Sequence, residues 1–104
     1  WPKIENYKAD VKYMELAQLI GLKPKTPAEG VEMFAQACEK LIAAVGIPNN
    51  FKSQNIPEDK WMAKVHRIAM NAYEDQCSPA NPRMPMVKDM EKILIDTYYG
   101  PNGK

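Results

Sequence analysis

The chain has 104 residues, of which 45% are hydrophobic and 26% charged, and its formal net charge is +1. This composition is typical of one small globular domain and too apolar for a disordered chain. The near balance of charge argues against nucleic acid or an anionic membrane as the main partner, because both attract a concentrated positive surface. No apolar stretch reaches the roughly 18 residues of a membrane span. The two cysteines do not form a disulfide framework, which favours a reducing, cytoplasmic compartment.

The first predicted helix covers residues 9–20, where apolar side chains recur at spacings of three and four. It ends at Gly21, with Leu22 beyond it and Pro24 after that. This pattern is typical of a left-handed glycine at a helix end, followed by a proline that cannot continue the helix. Because the chain begins with Trp1 and not with methionine, we expect a fragment or a processed product.

The second predicted helix begins with a capping box, in which Thr26 accepts from the Glu29 N–H and Glu29 reaches back. An apolar stripe follows and predicts the buried side of the helix. The stripe consists of Val31, Phe34, Cys38, Leu41, Ile42 and Val45. Cys38 is therefore expected to be a small buried hydrophobe and not a reactive thiol. Gly30 weakens the first turn by up to ~1 kcal/mol relative to alanine, with no reason visible in the sequence.

The third predicted helix opens at Pro57, after a connector that holds a short helical turn near Phe51. Its predicted buried face comprises Trp61, Val65, Ile68, Ala69 and Ala72. At its far end, Glu74 and Asp75 lie near the negative end of the helix dipole. A cationic partner such as Arg67 or Arg83 would offset this charge.

Three prolines in the next segment (Pro79, Pro82 and Pro85) exclude a helix and favour a fixed, extended path. The fourth helix covers residues 86–99 and closes at Gly100. No stretch alternates as a strand does, and no repeat occurs. The sequence therefore predicts an all-α fold with four main helices, and residues 1–104 form a single domain.

The residues themselves predict no catalytic, metal or cofactor site. His66 is the only histidine, whereas zinc and iron sites usually need two or more, and it is expected to be a partly exposed surface residue. No serine lies in a nucleophile motif, and the five glycines form no phosphate-binding loop. Cys77 is the one candidate, because it ends a helix and opens a proline-fixed loop of the kind that carries function.

Residues 72–85 read AYEDQCSPANPRMP. This stretch resembles the C-terminal signature of the iron-dependent alcohol dehydrogenases, with an acidic helix end, a cysteine and Asn-Pro-Arg before the last helix. The Asp75-Gln76-Cys77 segment and IDTYYG at residues 95–100 resemble the bifunctional aldehyde/alcohol dehydrogenases of fermentative microbes more narrowly. The first helix and Gly46-Ile47-Pro48 are similar in order and spacing, so the resemblance covers nearly the whole chain.

The resemblance implies that the chain is the distal part of a helical C-terminal subdomain in a larger oxidoreductase, called here the parent enzyme. Such an enzyme reduces acetaldehyde or another short aldehyde to the alcohol, with NADH as hydride donor and Fe²⁺ polarising the carbonyl oxygen. In the family, an α/β subdomain binds the nicotinamide cofactor, and one aspartate and three histidines upstream of the matched stretch hold the metal. The resemblance thus implies that this chain lacks both sites and is inactive alone. It also implies homo-oligomers or filaments of the parent enzyme.

The resemblance places Cys77 on the substrate side of the cleft, while Asp75, Asn81 and Arg83 are expected to structure the loop. Ser78-Pro79 replaces the Thr-Gly pair that is more usual in the narrower branch. The alternative is a stand-alone helical module for assembly or protein binding. Aromatic residues, which are enriched at interfaces, would then make the contacts, although each is equally plausible as core. The candidates are Trp1, Trp61, Tyr98 and Tyr99.

Overall fold

The computed structural model describes residues 8–101, within which four α-helices and two short 3₁₀ turns occur and no strand. The helices are α1 (Ala9–Leu19), α2 (Pro27–Ala44), α3 (Glu58–Glu74) and α4 (Val87–Tyr99). The predicted all-α fold with four main helices is confirmed. The chain divides into two compact units, unit 1 (Trp1–Gly46) and unit 2 (Ile47–Lys104). Over the described range, no helix is long and apolar enough to cross a membrane.

Helix α1 ends as the sequence predicts, through a glycine in the left-handed region. Gly21 has φ +89°, and its N–H donates to the Gln18 carbonyl at 3.0 Å. The next N–H, of Leu22, donates to the Ala17 carbonyl at 3.0 Å. These two bonds satisfy carbonyls that the last helical turn leaves open, so the chain reverses directly toward α2.

The predicted cap of α2 forms with one difference. The Thr26 Oγ1 accepts from the Glu29 N–H at 3.2 Å, and Pro27 occupies the first helical position. The Glu29 carboxylate, however, accepts from the N–H of Lys25 at 2.7 Å and not from that of Thr26. The carboxylate therefore ties down the chain one residue before the cap, and it still places negative charge at the positive end of α2.

Gly30 has a structural reason that the sequence does not reveal: α1 passes against it. A Cβ atom built at Gly30 would lie 2.5 Å from the Met14 Cα and 2.6 Å from the Met14 Cβ. Because the first of these is a backbone atom, a side chain at this position would push the two helices apart. Glycine in α2 is thus required by the close approach of α1, despite its low helix propensity.

The predicted burial of Cys38 is wrong, since this residue is exposed within unit 1. Leu41 and Val45 of the same predicted stripe are 64% and 60% exposed. The reason is geometric, because the described contacts of α1 on α2, Met14 with Gly30 and Tyr13 with Phe34, lie in the first half of α2, and Cys38, Leu41 and Val45 lie beyond them. Periodicity identified an apolar side of α2 correctly, but not how much of its length the neighbouring helix covers.

Unit 2 is centred on the packing of α3 against α4. Val65 and Ala69 of α3 are buried, as are Met90 and Tyr98 of α4. The predicted buried face of α3 is confirmed for Val65 and Ala69 and is wrong at its margins. The residues at those margins, Ile68 and Ala72, are exposed, because two antiparallel helices cover only one narrow strip of each other.

An aromatic cluster packs at the open end of the α3–α4 pair, that is, the end where α3 begins and α4 ends. The Trp61 ring stacks on Phe51 at 4.6 Å between centroids and contacts Tyr98 at 5.8 Å. The Trp61 Nε1–H donates to the Leu94 carbonyl at 3.2 Å, and the Tyr98 hydroxyl donates to the Ile56 carbonyl at 2.8 Å. Trp61 and Tyr98 therefore pack within unit 2. For both, the core interpretation holds and the interface interpretation does not. Trp1 lies outside the described residues.

Tyr99 extends this cluster to the surface. Its hydroxyl donates to the Glu58 carboxylate at 2.6 Å, and the Lys52 ammonium lies 5.6 Å from its ring centroid. The hydrogen bond to Glu58 is the main cause of a raised pKa at Tyr99, with burial adding to it. Burial, together with the Glu58 and Asp59 charges, also raises the pKa of Tyr98. Both phenols therefore stay protonated in the folded state above the pH at which an unfolded chain would lose the protons.

Replacing Gly30 by alanine should destabilise unit 1, although alanine is the better helix former. Overpacking against the Met14 backbone costs about 1–3 kcal/mol, which exceeds the propensity gain of up to ~1 kcal/mol. Urea unfolding followed by circular dichroism should show a lower midpoint for Gly30→Ala. The matched control is Ala35→Gly on the exposed side of α2, which should lose only the propensity difference. A higher midpoint for Gly30→Ala would contradict the close approach.

The stability of unit 2 should fall in alkaline solution because of Tyr99. Since its folded pKa lies above the unfolded value of 10.0, its contribution is complete below pH 10 and is lost as the pH rises through the folded pKa. Tyr99→Phe should therefore be less stable than the wild type below pH 10 and lose stability less steeply above it. Unfolding midpoints measured across this range, with Tyr13→Phe as the control, test the prediction. Equal slopes for wild type and Tyr99→Phe would refute it.

Candidate functional site

The loop between α3 and α4 begins with a turn built around Asp75. This residue leaves the helix with extended backbone angles, and its Oδ1 accepts from the Cys77 N–H at 2.8 Å. The Ser78 hydroxyl donates back to the Ala72 carbonyl at the end of α3. The two bonds close the last turn of α3 and fix the backbone on both sides of Cys77.

The expected ion pair at this helix end does not form. Among the ion pairs found within residues 8–101, none joins Glu74 or Asp75 to Arg67 or Arg83. The Asp75 carboxylate instead accepts a backbone hydrogen bond, which satisfies it locally. The role expected of Asp75 in structuring the loop thus has a physical basis, but through an N–H group and not through an arginine.

The proline-rich segment differs in part from the predicted extended path. Residues Ser78–Ala80 form one 3₁₀ turn that starts directly after Cys77, and Pro79 lies in its first turn, where the missing N–H is no loss. Beyond the turn, the Asn81 side-chain amide donates to the Arg83 carbonyl. The prolines exclude an α-helix, as predicted, but they do not exclude a single tight turn.

Two of the predicted loop residues line a shallow cleft of about 290 Å³ against the start of α4. Asn81 and Arg83 contribute from the loop, and α4 contributes side chains that the sequence did not single out. The cleft residues are Asn81, Arg83, Pro85, Asp89, Lys92 and Ile93. The spacing 89, 92, 93 places the three α4 residues on one side of the helix, a signal that could have identified them. Cys77 and Asp75 do not line this cleft.

The charged groups of the cleft are mostly engaged. The Asp89 carboxylate accepts from the Met86 N–H at 2.8 Å and so caps α4, where the helix dipole favours negative charge. Lys92 pairs with Asp96 one turn further along. Arg83 takes part in none of the ion pairs found within residues 8–101. Among the described cleft residues, Arg83 is thus the cation outside these ion pairs, and its guanidinium can hold a polar or anionic group.

Cys77 is exposed and forms no disulfide within the described residues, and it directly precedes the 3₁₀ turn. Its N–H is held by Asp75, so the Cα position is fixed while the thiol remains accessible. Within the described residues, no hydrogen bond reaches the thiol from a histidine or a lysine. An activated thiolate needs such a base.

His66 is a surface residue, as expected, with a partner that the sequence did not reveal. Its side chain is 75% exposed, and Nδ1 lies 2.6 Å from the Glu91 carboxylate of α4. Over residues 8–101, no group of three His, Cys, Asp or Glu side chains is arranged to hold a metal ion. One histidine and one carboxylate do not fit the iron centre that the resemblance implies, so no step of a reaction is assigned to iron in this chain.

Comparison with known proteins gives the family. Residues 1–98 match the model of the Fe-containing alcohol dehydrogenase family, C-terminal. The chain is 64% identical over 99 residues to aldehyde-alcohol dehydrogenase 2 of Entamoeba histolytica, covering 95% of this chain and 11% of the relative. It is 50% identical to the aldehyde-alcohol dehydrogenase of Streptococcus pneumoniae, covering 96% and 11%. With the bifunctional aldehyde-alcohol dehydrogenase of Escherichia coli it shares 36% identity, covering 86% and 10%.

The chain thus spans about a tenth of the length of these relatives. The family match extends over all four helices, from α1 to within one residue of the end of α4. It includes the Asp75–Cys77 turn and the Asn-Pro-Arg segment on which the predicted resemblance was based. This chain belongs to the Fe-containing alcohol dehydrogenase family, as part of its C-terminal region.

Proposed function

We propose that this chain is the distal helical part of an NAD- and iron-dependent alcohol dehydrogenase that reduces acetaldehyde or another short aldehyde to the alcohol. The observation that carries the proposal is the Asp75–Arg83 loop, a family segment whose backbone is fixed by side-chain hydrogen bonds from Asp75, Ser78 and Asn81. Relatives that match this region are named aldehyde-alcohol dehydrogenases. In this proposal, residues 1–104 form one all-helical part of the parent enzyme.

Iron and NAD would be held by the rest of the parent enzyme. The described residues offer no cluster of metal ligands, and residues 9–99 contain only helices and short connections, whereas a nicotinamide cofactor is typically held by a parallel sheet with a glycine-rich turn. The function of this chain would be to form one wall of the substrate cleft and to exclude water from it. Alone, it would be inactive.

Cys77 is the residue proposed to meet the substrate side. The turn around it is tight, because Asp75 holds its N–H and Ser78 bonds back to α3. A small, polarisable thiol suits contact with the apolar end of a short aldehyde. Asp75, Asn81 and Arg83 are proposed to position this loop and not to touch the reacting atoms. Homo-oligomers or filaments of the parent enzyme and its cytoplasmic location, expected from the sequence, belong to the same proposal.

The proposed function predicts that the parent enzyme is active and that the isolated chain binds neither metal nor cofactor, and purified proteins can test both. The full-length parent enzyme should oxidise NADH when acetaldehyde is added, lose this activity on iron chelation and regain it with Fe²⁺. In calorimetric titrations, the 104-residue chain should bind neither Fe²⁺ nor NADH. Stoichiometric binding of either by the isolated chain, or a metal-replete parent enzyme that reduces no short aldehyde, would overturn the proposal.

Cys77→Ala in the full-length parent enzyme should lower kcat/KM by about 3- to 30-fold, equivalent to roughly 0.7–2 kcal/mol of transition-state binding. Its melting temperature should change little, because the thiol is exposed. Gln76→Ala, an exposed neighbour in the same turn, is the matched control and should keep normal kinetics. A large fall in melting temperature with unchanged kinetics would assign Cys77 a structural role only.

The positioning role of Asp75 can be separated in the same assay. Asp75→Ala removes the acceptor of the Cys77 N–H and should lower kcat/KM, whereas Asp75→Asn keeps an acceptor oxygen and should restore most of it. Equal losses in both variants would show that the charge, and not the hydrogen bond, is what matters.

A further inference from the structure

One side of α2 carries apolar residues at alternating spacings of three and four. We name these five residues the α2 seam: Val31, Phe34, Cys38, Leu41 and Val45. This is the a/d spacing of a heptad, maintained over two heptads, and it is the pattern by which one helix packs knobs-into-holes against another. A strict seam of this kind is narrower than the broad apolar face of a helix on a globular core.

Within the described part of unit 1, residues 8–46, most of the α2 seam is exposed. Val31, Leu41 and Val45 are 38%, 64% and 60% exposed, and Cys38 is exposed as well. Only Phe34 has an aromatic neighbour, since its ring lies 5.9 Å from that of Tyr13. Four of the five seam positions, three of them consecutive, therefore present apolar side chains to solvent, which a monomeric protein rarely keeps without a partner.

The contacts that the structure describes between α1 and α2 lie in the first half of α2. α1 approaches α2 at Gly30, where the backbone of Met14 leaves no room for a Cβ atom. Cys38, Leu41 and Val45 follow Gly30 by 8, 11 and 15 residues, which at 1.5 Å per residue places them roughly 12–22 Å further along α2. Phe34, which touches Tyr13, marks the boundary between the α1 contact and the α2 seam.

We propose that the α2 seam is the docking site for a further helix of the same polypeptide, lying in the part of the parent enzyme outside these 104 residues. The proposal rests on the proposed function in so far as that function requires a longer chain. Its occupant would be an apolar helix with a matching a/d seam, because the α2 seam carries no charge to pair with.

The length of the relatives supports an occupant in the same polypeptide. About nine-tenths of each aldehyde-alcohol dehydrogenase lies outside the region that matches this chain. A second copy would be a poorer occupant. A stable interface between separate chains uses about 20–30 residues on each side, whereas the α2 seam offers five. Within one polypeptide the docking helix is held nearby, so a small contact area suffices.

Cys38 makes the test possible without altering the α2 seam, because its own thiol reports whether the seam is covered. In the native full-length parent enzyme, maleimide labelling of Cys38 should be at least about tenfold slower than in the urea-unfolded enzyme, read by peptide mass spectrometry. The matched control is Ala43→Cys in a Cys38→Ser background. Ala43 is exposed and lies on the opposite side of α2, so its thiol should label rapidly.

Equal labelling of Cys38 and of the control thiol would overturn the proposal. Protection of Cys38 that disappears on dilution of the enzyme would also overturn it, in favour of a second copy as the occupant. The labelling needs no catalytic activity. An inactive parent enzyme with a protected Cys38 would therefore refute the proposed function while supporting this inference.

A second variant checks the same inference through stability. Leu41→Lys in the parent enzyme should lower the melting temperature clearly, because it places a charge in a covered seam. Ala43→Lys, on the opposite side of α2, should leave the melting temperature nearly unchanged. The same melting temperature for both variants would contradict a covered α2 seam.

Discussion

The geometry of unit 2 depends on the burial of Tyr98 between α3 and α4. This residue is 2% exposed, and its hydroxyl donates to the Ile56 carbonyl just before α3 begins. A buried phenol without a partner would cost free energy, so the bond fixes where α4 ends relative to where α3 starts. Trp61 adds a second tie through the Leu94 carbonyl. Together these two bonds set the register of the α3–α4 pair at its open end.

This register in turn positions the loop at the other end of the pair. The contact of His66 with Glu91 joins the two helices between the aromatic cluster and the loop. Because both ends of the Asp75–Arg83 loop are attached to packed helices, three side-chain hydrogen bonds are enough to fix the loop between them. The loop is therefore anchored at both ends and tied within itself, as the proposed role at a substrate cleft requires.

Unit 1 is built on a different constraint, the absence of a side chain at Gly30. The close approach of α1 uses the first half of α2, around this glycine, and leaves Cys38, Leu41 and Val45 of the α2 seam exposed. Two helices enclose little core, and Ala17 and Pro24 are the apolar side chains of unit 1 that are buried within the described range. The proposed docking helix would enlarge this small core, and the chain spans about a tenth of its relatives.

The sequence by itself determined the helices, their ends and the family. Helix ends depend on local chemistry, so Gly21, Thr26 and Gly100 marked them within a residue or so. The segment from Asp75 to Arg83 identified the family for the same reason, because it can be read from consecutive residues. Periodicity also found the apolar sides of α2 and α3.

Tertiary structure alone decided which apolar sides are covered. The burial of Cys38 was predicted wrongly because periodicity cannot say where a neighbouring helix lies, whereas the Gly30–Met14 contact does. The partners of His66 and Trp61 were equally hidden, since Glu91 and Leu94 are 25 and 33 residues away in the sequence. Capping and turns depend on neighbours along the chain, but packing depends on groups that only the folded chain brings together.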